Sequence, residues 1–171
     1  MKIDILKLLA EVINEIGDLS NIEPYNYNIK STGGDFRIEE GYRVSVNLTT
    51  WPPPLHKNFI FPPVVELNNN PIYNVGYTIE GEGSQFIKSN YKTLIKILKT
   101  VSLIVEHHLN RLDSQNPIFT FFAEGKKGKG HDDRQKTLMY KEILSKNIPP
   151  NYRIGVGEYT PLNVKFIYIA K

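Results

Sequence analysis

The residues whose types and spacing could do chemistry cluster first in the loop Gly125-Lys126-Lys127-Gly128-Lys129-Gly130-His131 and just after it. Positions 126 to 136 hold five basic residues (Lys126, Lys127, Lys129, Arg134, Lys136) and two acidic ones, Asp132 and Asp133. Glycines let backbone N–H groups approach an anion, and lysines supply charge. A helix opening behind the loop adds the partial positive charge of its first turn. With His131 and Arg134, the lysines at 126, 127 and 129 are therefore candidate phosphate or nucleic-acid contacts. The spacing is not that of a P-loop, and the plainer reading is a solvated connection.

Other constellations are weaker. His107 and His108 stand side by side next to Glu106. Adjacent residues point about 100° apart on a helix, so the pair cannot chelate a metal from one face, and packing is expected instead. His131, Asp132, Asp133 and Glu124 could form a metal or acid–base cluster, although an Asp there is better explained as a helix cap. There is no cysteine, hence no thiol nucleophile or disulfide. Gly-x-Ser-x-Gly is also absent. Trp51-Pro52-Pro53-Pro54, followed by Phe59 and Phe61, is a candidate protein interface, because rigid aromatics and prolines lose little entropy on docking. The alternative is a loop that covers one face of a sheet. The ten tyrosines suit interfaces and sheet rims alike.

These residues must be positioned by the surrounding elements. Ile5, Leu6, Leu9, Val12, Ile13 and Ile16 keep the spacing of an amphipathic helix over 2–17, ended by Gly17. Tyr25, Tyr27 and Ile29 alternate as a strand, and a turn is expected at Thr32-Gly33-Gly34-Asp35. Phe36 and Ile38 continue a second strand, and Tyr42–Thr49 a half-buried third. Short strands are expected at 64–67 and 84–88 and a longer one at 72–80, with a tight turn at Gly81-Glu82-Gly83. Leu94, Ile97, Leu98, Val101, Ile104, Val105, Leu109 and Leu112 predict a long helix from about Asn90 to Leu112. The apolar run Ile118–Ala123 reads as an interior strand. A helix to about Lys146 and two final strands, 152–156 and 164–170, complete the order.

At 171 residues, 40% apolar and with net charge +3, the chain is expected to form a single domain over 1–171. No apolar run approaches the roughly 20 residues of a bilayer span, and the N-terminus does not read as a secretory signal. The fold class is α+β: a mixed, mainly antiparallel sheet flanked by helices.

That order of elements resembles the N-acetyltransferase fold of the GNAT superfamily. Arg134-Gln135-Lys136-Thr137-Leu138-Met139-Tyr140 is similar to the Arg-x-x-x-Leu-Tyr pattern that often opens its last helix, with one residue inserted. The resemblance implies acetyl-CoA as cofactor, Tyr140 as general acid and Glu80 or Glu82 as base. The pyrophosphate loop departs from the pattern. Thr78-Ile79-Glu80-Gly81-Glu82-Gly83 lacks the leading Gln or Arg and sets two carboxylates where a polyanion would lie. From about Ile72 to Gly157 the chain also resembles a set of proteins of large tailed phages. They share the strand pair, a helix with Thr-Val at its middle (Thr100-Val101), and an Arg-led helix carrying a Tyr.

Two functions are therefore expected. One is a non-catalytic phage accessory or virion-associated binding protein. It would need no cofactor, would contact virion components or a second copy, and would reside in the virion or host cytoplasm without a membrane. The other is an N-acyltransferase using acetyl-CoA. A split left open between the strands at 72–80 and 118–123 would favour the enzyme, and a filled one the binding module.

Overall fold

The structure is a computed structural model that describes residues 22–65, 67, 69–81, 91–122 and 140–171. Eight strands form one sheet: β1 (Tyr27–Lys30), β2 (Gly33–Arg37), β3 (Arg43–Thr50), β4 (Phe59–Ile60), β5 (Ile72–Ile79), β6 (Ile118–Phe121), β7 (Arg153–Tyr159) and β8 (Val164–Ala170). Their order across the sheet is β1-β2-β3-β5-β6-β8-β7-β4. All neighbours are antiparallel except β5 and β6. The helix α1 (Tyr91–Leu112) lies between β5 and β6 in sequence, the long crossover that a parallel pair requires. Residues 140–145 are also helical. The expected helix at 2–17 and strand at 84–88 lie outside the described residues.

Period-two alternation divides the sheet into two faces. Val44, Val46 and Leu48 of β3, Val75 of β5, Phe119 and Phe121 of β6, and Ile167 and Ile169 of β8 pack against Ile97, Val101, Ile104, Val105 and Leu109 of α1. Leu144 joins the same core. Helix α1 is also buried at Ile95, Leu98 and Ser102. Those positions have the three/four spacing of a second stripe, so the helix buries more than the one face its sheet-facing residues define.

Two expectations are corrected. The turn between β1 and β2 is at Ser31–Thr32, and Gly33 and Gly34 belong to β2. These glycines are needed for close approach. A Cβ on Gly33, whose φ is +142°, would lie 1.9 Å from the Val46 carbonyl oxygen. On Gly34 it would lie 2.6 Å from the Asn28 carbonyl oxygen and 3.1 Å from Ile104. Val64 and Val65 form a turn rather than a strand, closed by the Val65 N–H on the Pro62 carbonyl at 3.0 Å. The prolines ahead of them leave no ladder to join.

The opposite face has two halves. Over β6, β8 and β7, Phe59, Val65, Ile72, Ile118, Tyr159, Phe166 and Tyr168 form a second core, with Trp51, Phe61 and Phe122 half-buried against it. The face of β1, β2 and β3 is polar, with Asn28, Lys30, Asp35, Arg37 and Arg43 paired across it.

Candidate functional site

Among the described residues, β5 runs on past the end of its pairing with β6. These strands pair at only three positions, Ile72 with Ile118, Tyr73 with Phe119 and Asn74 with Thr120, whereas β5 continues to Ile79. The β3–β5 register shows where the backbone of β5 points. The Glu80 N–H donates to the Arg43 carbonyl and the Trp51 N–H to the Ile72 carbonyl, so even-numbered residues of β5 bond to β3. Odd-numbered residues direct N–H and C=O to the other side. Past Asn74, Tyr77 and Ile79 present these groups toward a side where, among the described residues, no strand pairs.

Tyr140, from the helical residues 140–145, meets the start of this split. Its hydroxyl lies 3.1 Å from that of Tyr77. Tyr77 sits on the α1 face because its register partner Val46 does. Burial is the main cause that pushes the Tyr77 phenol well above its usual range, and the Tyr140 phenol adds to it. The Tyr77 hydroxyl therefore keeps its proton at physiological pH, and one of the two hydroxyls donates to the other.

Glu80 lies elsewhere. It is exposed, and it follows Thr78 on the opposite face, where its carboxylate is 3.9 Å from Arg43 Nη1. Tyr140 and Glu80, one of the two bases that the acetyltransferase resemblance implies, are thus on opposite faces of the sheet. Glu82 lies outside the described residues, as do Lys126, Lys127, Lys129, His131 and Arg134. Among the described residues no three His, Asp or Glu side chains are grouped to hold a metal. No described helix is long and apolar enough to cross a membrane.

The Pro-rich segment is folded back on its own sheet. Pro53–Asn58 is a 3-10 helix. The Trp51 indole N–H donates to Thr120 Oγ1 at 3.1 Å, and its ring packs against Phe59, Phe122 and Tyr159 at 5.2–5.9 Å between centroids. Phe59 is buried, Phe61 stacks on it, and His56 Nε2 reaches the Trp51 carbonyl at 2.9 Å. Pro52, Pro53 and Pro54 remain exposed. His108 is buried, with Nε2 2.8 Å from the Gly33 carbonyl and Nδ1 accepting from Arg111. It therefore packs, and carries its proton on Nε2.

One cluster escaped the sequence reading. Asp35 accepts from Asn28 at 3.2 Å and Arg43 Nε at 3.1 Å, and Lys30 Nζ is at 2.8 Å. Lys30, then Arg43 and Asn28, hold its carboxyl well below the usual carboxylate range. The available signal was the alternation of charge along adjacent strands, which becomes a cluster only when the register is known. No family model matches this chain, and neither a curated protein nor a solved structure does.

Proposed function

We propose that this chain is a non-catalytic binding module on an acetyltransferase-like scaffold, with the parted strands β5 and β6 as its docking cleft. The scaffold reading is supported by the run β1-β2-β3-β5-β6-β8-β7 with a single parallel pair bridged by a helix. The observation that carries the non-catalytic reading is the separation of Tyr140 from Glu80. Tyr140 meets the Tyr77 hydroxyl on the helix side, while Glu80 answers Arg43 on the far side, and Glu82 lies outside the described residues. General acid–base transfer needs both groups within hydrogen-bond reach of one substrate. The N–H and C=O groups of Tyr77 and Ile79, unpaired among the described residues, suit an extended protein segment, which gains affinity by adding main-chain hydrogen bonds to a strand edge. By the resemblance to tailed-phage proteins, that segment belongs to a virion component or a second copy.

Hydrogen exchange tests the docking. The amides of Tyr77 and Ile79 should exchange faster in the isolated chain than in the assembled native particle. Equal exchange in both would remove the cleft as the contact.

The parted strands also favour a second reading, the N-acyltransferase, since an acyl-CoA arm would use the same edge. Acetyl-CoA at 100 times its dissociation constant would stabilise the fold by about 2.7 kcal/mol. No thermal shift at millimolar acetyl-CoA and no acetyl transfer are expected. Transfer that disappears in Tyr140→Phe would establish the enzyme instead.

A further inference from the structure

At the end of the sheet where β5 finishes, a cleft of about 670 Å³ is lined by residues 24–26, by β1, β2 and β3, and by Lys96 of α1. Its walls include Asn26, Asn28, Asp35, Arg37, Arg43 and Lys96. Arg37 and Arg43 are direct cross-strand partners. Like charges placed directly opposite destabilise an antiparallel pair, so this pairing calls for an anion.

The anion already present serves only one of the two. Asp35 is bound by Arg43 through Nε and Nη2, by Lys30 and by Asn28. Glu80 approaches the other side of Arg43, and Glu39 approaches Lys96, each at 3.9 Å. Lys96 also lies over the Tyr25 ring at 4.4 Å. Arg37 is exposed and donates through Nη1 to the Gly41 carbonyl at 2.7 Å, and among the described side chains no carboxylate pairs with it. Among the described side chains, the ion pairs of the cleft and its rim join Lys30, Arg43 and Lys96 to Asp35, Glu80 and Glu39.

We propose that this cleft is a phosphate-binding site, in which the Arg37 fork takes the anion beside Arg43, with Lys96 on the far wall. A guanidinium presents paired N–H donors that match two phosphate oxygens, and charge-assisted bonds of this kind are the strong ones. The site is separate from the β5–β6 split and does not depend on how the split is used.

The experiment is calorimetric titration of the full chain with sodium pyrophosphate and with an oligothymidylate, each against sodium chloride at matched ionic strength. Arg37→Gln should weaken pyrophosphate binding about tenfold while leaving the unfolding midpoint nearly unchanged, since Arg37 is exposed. Lys96→Gln should weaken it less. A variant with Lys126, Lys127 and Lys129 all changed to Gln should bind as the parent does. Oligothymidylate binding that is also lost in Arg37→Gln would identify the phosphate as that of a nucleic-acid backbone. Pyrophosphate binding without it would identify a free phosphate ligand. No binding beyond the chloride control would overturn the proposal. So would undiminished affinity in Arg37→Gln, or loss of affinity in the triple lysine variant.

Discussion

The Trp51 indole N–H donates to the hydroxyl of Thr120, and that hydroxyl donates in turn to the carbonyl oxygen of Tyr73 at 2.9 Å. One fully buried side chain on β6 thus links the loop after β3 to β5. Thr120→Val keeps the shape and removes both bonds, leaving the half-buried indole N–H without its partner. Chemical denaturation should show a loss of about 1–3 kcal/mol. Trp51 fluorescence should respond at the same midpoint.

Tyr140→Phe removes the partner of the Tyr77 hydroxyl. Its expected cost is about 1 kcal/mol, read by thermal unfolding. Docking at the cleft should persist, because it relies on the backbone of β5. A large loss of docking would mean that the phenol itself contacts the partner.

Stability should fall with pH at the mildly acidic end. Burial is the main cause that lowers the pKa of His108, with Arg111 and His107 adding to it against the opposing bond to Gly33. The folded value is therefore below the unfolded one, near 6.5. As pH drops through that unfolded value the unfolded chain binds the extra proton first, so stability is lost between it and the folded pKa and is flat above. The slope cannot exceed the one-proton limit of about 1.4 kcal/mol per pH unit. His108→Gln should abolish that slope in urea titrations between pH 7 and 5. An unchanged slope would place the titrating group elsewhere.

Gly34→Val should destabilise by about 1–3 kcal/mol, measured by urea unfolding. The new Cβ would meet the Asn28 backbone as well as Ile104, so relaxation of the Ile104 rotamer alone cannot accommodate it. Gly76→Ala, whose Cβ would meet nothing within 4 Å, is the matched control and should change stability by less than about 0.5 kcal/mol.

Much of the fold was legible in local pattern. The stripe from Leu94 to Leu112 predicted α1 and its end at Leu112, because a helix shows its buried face at a three/four spacing whatever it packs on. The run Ile118-Phe119-Thr120-Phe121 announced a strand covered on both faces, and all four residues are buried. The glycines at 33 and 34 misled because their freedom suits a turn. Here it serves the close contact of β2 with the Val46 and Asn28 carbonyls and with Ile104, which no local pattern reports. Trp51 and the prolines carried two readings, and the indole's turn toward Thr120, 69 residues away, is a tertiary fact.

By itself, the order of residues determined the α+β class, the central helix, the alternation of β3 and the interior character of β6. Each follows from the period at which a single element exposes its side chains. Only the tertiary structure decided which strands are neighbours and in what register. That register sends Tyr77 to the face of Tyr140, 63 residues away, and Glu80 to the face of Arg43. It also sets Arg37 opposite Arg43. Shifting a strand by one residue exchanges its two faces, so which charged groups meet is a property of the assembled sheet.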